Sequence, residues 1–336
     1  MTIRPIRGTL RQPTRFLSAL VVGLCTIVAT PAATLTESET GDFIAAMVER
    51  HGFAAQELRS TLSAAQISQR VIDAISRPAE AKPWYRYRPI FVTDERASAG
   101  VRFWRNHDAV LARAERQFGV PAEIIVAIIG VETFYGRNSG GFRVLDALAT
   151  LAFKYPPRST FFRSELEQFL LLAREQKINP VSLSGSYAGA MGLPQFIASS
   201  YRAYAVDFDV DGTINIWDDV DDAIGSVGNY LSVHGWQRGQ PVALPAGVDG
   251  DPAATLRDEG FEPKRPLREF RAAGLRFADE AGMDAPGILV PLEQSDGYEY
   301  WLGLRNLYVI TRYNRSFLYA MAVLQLAQRI RAEHDG

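Results

Sequence analysis

The sequence predicts a mainly α-helical fold with an N-terminal helical lobe, a helical core and a small β-containing insertion, and three features carry that prediction. Apolar residues recur at helical spacing from residue 40 to residue 234. One of these stretches, Ile124 to Val131, is apolar on every side, which places it at the centre of a core. After Gly239 the chain turns to Pro, Gly and short alternating pieces, the texture of strands and turns.

Taken in order, Thr40 to Arg77 reads as two short amphipathic helices punctuated by Gly52. Pro83 to Val92, with Trp84, Tyr85 and Tyr87, reads as an extended aromatic connector. Ala97 to Phe118 is helical and stops at Gly119. Val120-Pro121 then opens the apolar helix, with Pro at its first position and Glu123 in its first turn. Helical patterns continue from Val144 to Phe153, Ser164 to Glu175, Ile197 to Tyr204 and Ala223 to His234. Gly239 to about Pro291 forms the strand-containing piece, Tyr298 to Asn314 is rich in aromatics, and Ser316 to Ala332 is a closing helix. The expected division is 1–33 as an export segment, 34–96 as the helical lobe and connector, 97–238 as the core, 239–297 as the β lobe and 298–336 as the closing segment.

At 336 residues the chain exceeds one ~150-residue module, and its 47% apolar content suffices for a large core. It has no solenoid-period repeat and no long charge block, which excludes a largely disordered chain. Arg4, Arg7, Arg11 and Arg15 form a positive start without an acidic residue. The apolar run Phe16 to Ala29 and the small residues Thr30, Pro31, Ala32 and Ala33 follow. That order is a secretory signal, and its apolar run falls short of the ~20 residues of a spanning helix. Export to the periplasm with cleavage is expected, ahead of an uncleaved anchor or a lipid on Cys25, where Leu24 occupies a position that favours a small residue.

Cleavage removes four basic residues and the single cysteine, leaving a mature chain of about −6 without disulfide or thiol chemistry. No basic face suits nucleic acid or an anionic membrane, and no membrane span is expected in the mature form. The four histidines His51, His107, His234 and His334 are scattered, so a zinc hydrolase is excluded. A serine triad lacks its G-x-S-x-G setting. Tyr85, Tyr87, Trp104, Trp217, Trp236 and Trp301 are the residues suited to sugar stacking, although such rings more often serve the core.

The segment Gly130-Val131-Glu132-Thr133-Phe134-Tyr135-Gly136 ends the apolar helix with a carboxylate. Burial disfavours the anion, so the group holds its proton near neutrality, as a general acid must. The bland reading is a helix-end Glu paired with an arginine. Ser186-Tyr187-Ala188-Gly189-Ala190-Met191-Gly192-Leu193-Pro194-Gln195-Phe196 packs three glycines and two alanines around polar residues, and this density of small residues admits close approach by another chain or a ligand. Gln195 offers an amide for a sugar hydroxyl.

These two segments in order resemble the lytic murein transglycosylase B family. The resemblance continues through Tyr204-Ala205-Val206-Asp207-Phe208, Asp222-Ala223-Ile224-Gly225-Ser226, Asn229-Tyr230, His234-Gly235-Trp236, Tyr300-Trp301 and Ile310-Thr311-Arg312-Tyr313-Asn314, and spans about residues 40–332. It implies a goose-lysozyme-like catalytic core with helical and β lobes attached. It places Glu132 on the family's catalytic acid/base, and Ser186, Gln195, Tyr230, Tyr313 and Asn314 on positions that line a glycan cleft. The partners it implies are peptidoglycan glycan strands, with cell-wall synthesis proteins as further candidates. Ala198 stands where the family commonly has proline, and Phe134 where it has Arg or Asn.

Glycosidases ordinarily use two carboxylates, and the sequence offers no convincing second one. In the family-type mechanism the muramic acid supplies the missing function through its acetamido group, and its 6-hydroxyl attacks C1 to give a 1,6-anhydro end. A lysozyme-type hydrolase on the same core, which needs a second carboxylate or a placed water, and a catalytically silent glycan-binding protein are the rival readings.

Asp207-x-Asp209-x-Asp211-Gly212-Thr213 follows the EF-hand ligand order, with Gly at position six and a backbone carbonyl at position seven. Position twelve is Asp218 in place of Glu. The resemblance points further on, to Asp222, with Asp221 adjacent. A structural Ca2+ held by Asp207, Asp209, Asp211, Thr213 and Asp222 is expected, since such crowded acids repel without a cation.

Overall fold

The computed structural model describes residues 35–76, 82–248, 256 and 260–336. The export signal and Cys25 lie outside the described residues. The described residues form one compact unit.

Three helices, not two, make the N-terminal lobe: α1 Glu37–His51, α2 Ala55–Ser63 and α3 Gln69–Ile75. Gly52 ends α1 in the left-handed conformation, φ 65°. The lobe is tied to the core through backbone amides: Gln66 N–H donates to Asp146 at 2.8 Å and Ser68 N–H to Thr150 at 3.0 Å. Asp146 also pairs with Arg143 at 2.6 Å.

The expected extended connector is a helix, α4 Trp84–Phe91. Pro83 occupies its N-cap and so loses no internal bond, while Trp84 and Tyr87, one turn apart, bury the same face. Burial outweighs the aromatic residues' preference for strands. The long helix expected from Ala97 to Phe118 is two, α5 Asp94–Asn106 and α6 Asp108–Phe118, broken at His107. Pro121 is the N-cap of α7 Ala122–Thr133 and not its first residue.

Helix α7 is buried along its length, as its all-round apolarity requires. Each fully buried Ile or Val contributes ~1.5–3 kcal/mol. The closing helix Phe317–Asp335 packs across α7 and α5, and Ser316 caps it by accepting the Tyr319 N–H at 3.2 Å. Helices α8 Val144–Lys154, α9 Ser159–Glu175, α10 Ala198–Tyr204 and α11 Val220–Val233 complete the core. A two-stranded ribbon, β1 Phe142–Arg143 with β2 Ser184–Gly185, joins its loops.

The β lobe is an antiparallel sheet of order β3-β6-β5-β4, with β3 Ala243–Ala246, β4 Arg265–Pro266, β5 Pro286–Gln294 and β6 Gly297–Gly303. It has its own small core, including Leu244, Leu267, Phe270, Leu289 and Leu302. Strand β6 extends the sheet to Gly303, so the lobe does not end at residue 297. A helix at Arg305–Tyr313 then returns the chain to the C-terminal end of α7.

Candidate active site

Glu132 is the last but one residue of α7 and keeps partial access to solvent. Tyr319, buried in the closing helix, donates its hydroxyl to Glu132 Oε1 at 2.6 Å. Burial pushes the Glu132 carboxyl up to about 7, against the opposing pull of the Tyr319 bond. Among the described residues no other carboxylate contributes to that shift. A lone acid protonated near neutrality is thus available at the end of a rigid helix.

The chain reverses sharply just beyond it. Phe134 and Tyr135 both adopt positive φ, 52° and 58°, an uncommon conformation for bulky residues. Gly130 makes the reversal feasible, because a Cβ there would lie 2.5 Å from the Tyr135 hydroxyl. That hydroxyl donates to the Arg96 carbonyl at 3.1 Å. Phe134 is flanked by the guanidiniums of Arg96 and Arg137 at 4.8 and 4.7 Å.

Thr133 fastens this corner to the glycine-rich loop. Its hydroxyl lies 3.1 Å from the carbonyls of both Ile129 and Leu193, and it accepts the Gly136 N–H at 3.1 Å. In the loop, Ser186 Oγ accepts from the N–H groups of Ala188 and Ala190 at 3.2 and 3.0 Å. Gln195, at φ 51°, donates its amide to the carbonyls of Ser139 and Gly192 at 3.1 and 3.0 Å.

The phenols form a connected wall. Tyr313 donates to the Pro194 carbonyl at 2.6 Å, and Tyr230 donates to the Arg312 carbonyl at 2.6 Å. Their rings are 4.8 Å apart, and Tyr313 lies nearly parallel to Tyr319 at 6.5 Å. Burial, and next the Glu132 charge, push the Tyr313 and Tyr319 phenols far above their ordinary range, so both remain donors. Asn314 follows Tyr313 directly, at the C-cap of its helix. Glu132 is therefore joined to Tyr313 by way of Tyr319, and Tyr313 in turn touches Tyr230 and the Pro194 carbonyl, while Ser186 and Asn314 stand on the flanking loops. Sequence reasoning missed Tyr319. Its signal was a phenol in the apolar run from Phe317 to Leu326, since a buried tyrosine hydroxyl needs a partner.

The acidic loop lies between α10 and α11. Oxygens of Asp207, Asp209 and Asp211 lie within 4.8 Å of one another. Gly212 takes φ 95° at the turn, and the Asp207 carboxylate accepts N–H bonds from Asp211 and Gly212 at 3.1 and 2.9 Å. Asp211 is held below its ordinary range by the Thr213 hydroxyl and amide. Two exposed carboxylates and the half-buried Asp207, with a tight glycine turn, form a hard-oxygen donor set that suits Ca2+. Asp222 is placed differently. It is buried, and its two oxygens accept the Phe208 and Asn215 N–H groups at 2.5 and 2.7 Å. Asp221 reaches Arg113 at 3.8 Å, and Asp218 is exposed beyond the turn.

The loop touches the corner that follows Glu132. Leu193 N–H donates to the Ile216 carbonyl at 2.9 Å, and a Cβ on Gly192 would lie 2.5 Å from that same oxygen. Leu193 is the residue whose carbonyl Thr133 holds.

Comparison with known proteins agrees with this arrangement. The family model described as a transglycosylase SLT domain matches residues 36–328. The chain belongs to that family. It is 47% identical over 298 residues to membrane-bound lytic murein transglycosylase B of Escherichia coli K12, covering 86% of this chain and 81% of the relative. The crystal structure of soluble lytic transglycosylase SltB1 from Pseudomonas aeruginosa superposes with a TM-score of 0.83 at 54% identity, over 89% of this chain and all of that one. The Escherichia coli lytic transglycosylase Slt35 in complex with calcium gives 0.83 at 44% identity, over 91% and 97% of the two chains. The mainly helical, lysozyme-like architecture expected from the sequence is thus the architecture of this family.

Proposed function

We propose that this chain is an exported, periplasmic lytic transglycosylase that cuts the bond between N-acetylmuramic acid and N-acetylglucosamine in peptidoglycan and leaves 1,6-anhydromuramic ends. The observation that carries the reading is Glu132: one buried carboxyl near 7, at a helix end, without a second carboxylate acting on it. A carboxyl raised in this way is in the state that a general acid at a glycosidic bond needs.

Protonated Glu132 donates to the departing glycosidic oxygen. The acetamido group of the muramic acid then carries the positive charge that develops at C1. Ionised Glu132, stabilised by the Tyr319 hydroxyl, takes the proton of the 6-hydroxyl as that oxygen closes on C1. Atoms balance without water. Ser186 accepts two backbone N–H bonds, so its own proton remains for the acetamido carbonyl, with Asn314 as second orienter. Both amide hydrogens of Gln195 point to backbone carbonyls, which leaves its oxygen for a sugar hydroxyl. Tyr230 and Tyr313 donate to backbone carbonyls and so shape the cleft through their rings.

Calcium fits the acidic loop, with Asp207, Asp209, Asp211 and the Thr213 carbonyl as its ligands. Bound there, it would neutralise the clustered carboxylates and fix the loop. Asp222, committed to two backbone amides, is better suited to bracing the loop than to ligation.

The reading is tested by digesting purified sacculi with the mature protein and weighing the released muropeptides. Products one water lighter than hydrolysed ones are expected; reducing ends of normal mass would instead establish a lysozyme.

A further inference from the structure

A cleft of about 570 Å3 opens beside the catalytic corner, and Glu132 is not among its lining residues. It is joined to the glycan-facing loop at two points. Ser139 and Gly192, whose carbonyls hold the Gln195 amide, both line it. Its size falls within the ~300–1,000 Å3 of small-molecule sites.

The chemistry of the walls narrows the ligand class. Hydroxyls come from Ser139, Ser182 and Ser184, and carboxamides from Gln176 and Asn215. Trp217 supplies an aromatic face whose plane is set by Tyr201, 5.4 Å away. Asp218 is the only charged lining residue, and no Lys or Arg is present to receive an anion. A peptide stem rich in carboxylates would meet repulsion there. A neutral sugar would not, and its apolar face matches an indole while its hydroxyls and amide match the serines and carboxamides.

We propose that this cleft is an accessory carbohydrate site that takes neutral N-acetylhexosamine units of a glycan strand, beside the cutting site. The proposal rests on the transglycosylase reading only for the source of the strand. The wall is built rather than incidental: Asn215 Oδ1 accepts the N–H groups of Trp217 and Asp218 at 3.1 and 3.0 Å. The Asn215 N–H in turn is held by Asp222 at 2.7 Å.

The Trp217 indole N–H has no hydrogen-bond partner among the described residues, so its NMR resonance is a local reporter. The mature protein carrying Glu132→Gln would be titrated with the N-acetylglucosamine tetramer, the Trp217 signal being assigned by its loss in Trp217→Ala. A saturable shift is expected, with affinity reduced tenfold or more by Ser184→Tyr, which fills the cleft and leaves Trp217 in place. A Trp217 signal that stays still at saturating tetramer overturns the proposal, as does a titration that Ser184→Tyr leaves unchanged. A sugar-free stem peptide that moves the signal more strongly than the tetramer overturns the carbohydrate class. Digestion of sacculi by the unmodified protein reads the transglycosylase assignment separately, so either idea can fail while the other stands.

Discussion

Glu132 is set alone among apolar and phenolic side chains, whereas Asp207, Asp209 and Asp211 crowd together in solvent. Both regions place carboxylates where an isolated chain would not, and they resolve the conflict by different means. At the end of α7, burial removes the charge by raising the carboxyl to about 7, and a single phenol moderates the effect. In the acidic loop the charges are exposed, and backbone N–H groups together with the Thr213 hydroxyl hold them in place. Burial keeps a proton on the one carboxyl, while backbone donors accommodate the others as anions.

The comparison breaks most visibly at Glu132. Glu132→Gln should lower cleavage of sacculi by ~10²–10⁴-fold, the usual contribution of a general acid, with the fold retained. The same substitution separates function from stability. The folded-state value lies above the ordinary 4.5, so the unfolded chain gives up this proton more readily. Stability contributed by the protonated acid is therefore lost as pH rises from about 4.5 to about 7, by at most ~3.5 kcal/mol at ~1.4 kcal/mol per unit. Thermal melts should show the Gln variant as the more stable protein at pH 8, with the difference shrinking toward pH 4.5.

Asp222→Ala should cost ~1–3 kcal/mol, because two backbone N–H groups lose a buried acceptor. Equal losses in calcium and in chelator would establish it as a brace, while a loss seen only in calcium would make it a ligand. Tyr319→Phe removes a bond that favours ionised Glu132, so the carboxyl rises further. The alkaline limb of the pH-rate profile should then move up by ~1 unit, the equivalent of a charged hydrogen bond of about 1.5 kcal/mol. An unmoved limb would show that the bond does not tune the acid. Smallest is Asp211→Asn. At calcium ten times its Kd the site contributes ~1.4 kcal/mol, so the variant should lose a few degrees of the calcium-dependent rise in Tm. In chelator it should melt no lower than the unmodified protein, because the substitution removes one of the mutually repelling charges.

Much of this was legible before the fold was known. The apolar run from Ile124 to Val131 announced a central helix, because periodicity and burial follow directly from residue type, while the acid at its end became a site candidate only through the motifs of the family resemblance. Asp207, Asp209, Asp211 and Gly212 were legible for a related reason: a loop that coordinates through consecutive alternate residues carries its geometry in local spacing. The helix at Trp84–Phe91 was not legible. Its Pro, Trp and Tyr content favours extended chain, and only packing against the core reverses that preference. The contacts that set Asp222 apart from Asp221 were equally hidden, since two adjacent acids differ only in what the fold brings to them.

What the sequence determined by itself is the helical class, the position of Glu132 and the acidic loop, all of which depend on residues close together along the chain. The tertiary structure decided the rest. It brought Tyr319, 187 positions away, to the Glu132 carboxyl. It also threaded Thr133, Leu193 and Ile216 into one path of hydrogen bonds from the acid to the loop. Such contacts join residues whose spacing in the chain carries no periodic signal, and they form only when helices dense with apolar side chains bury their faces together.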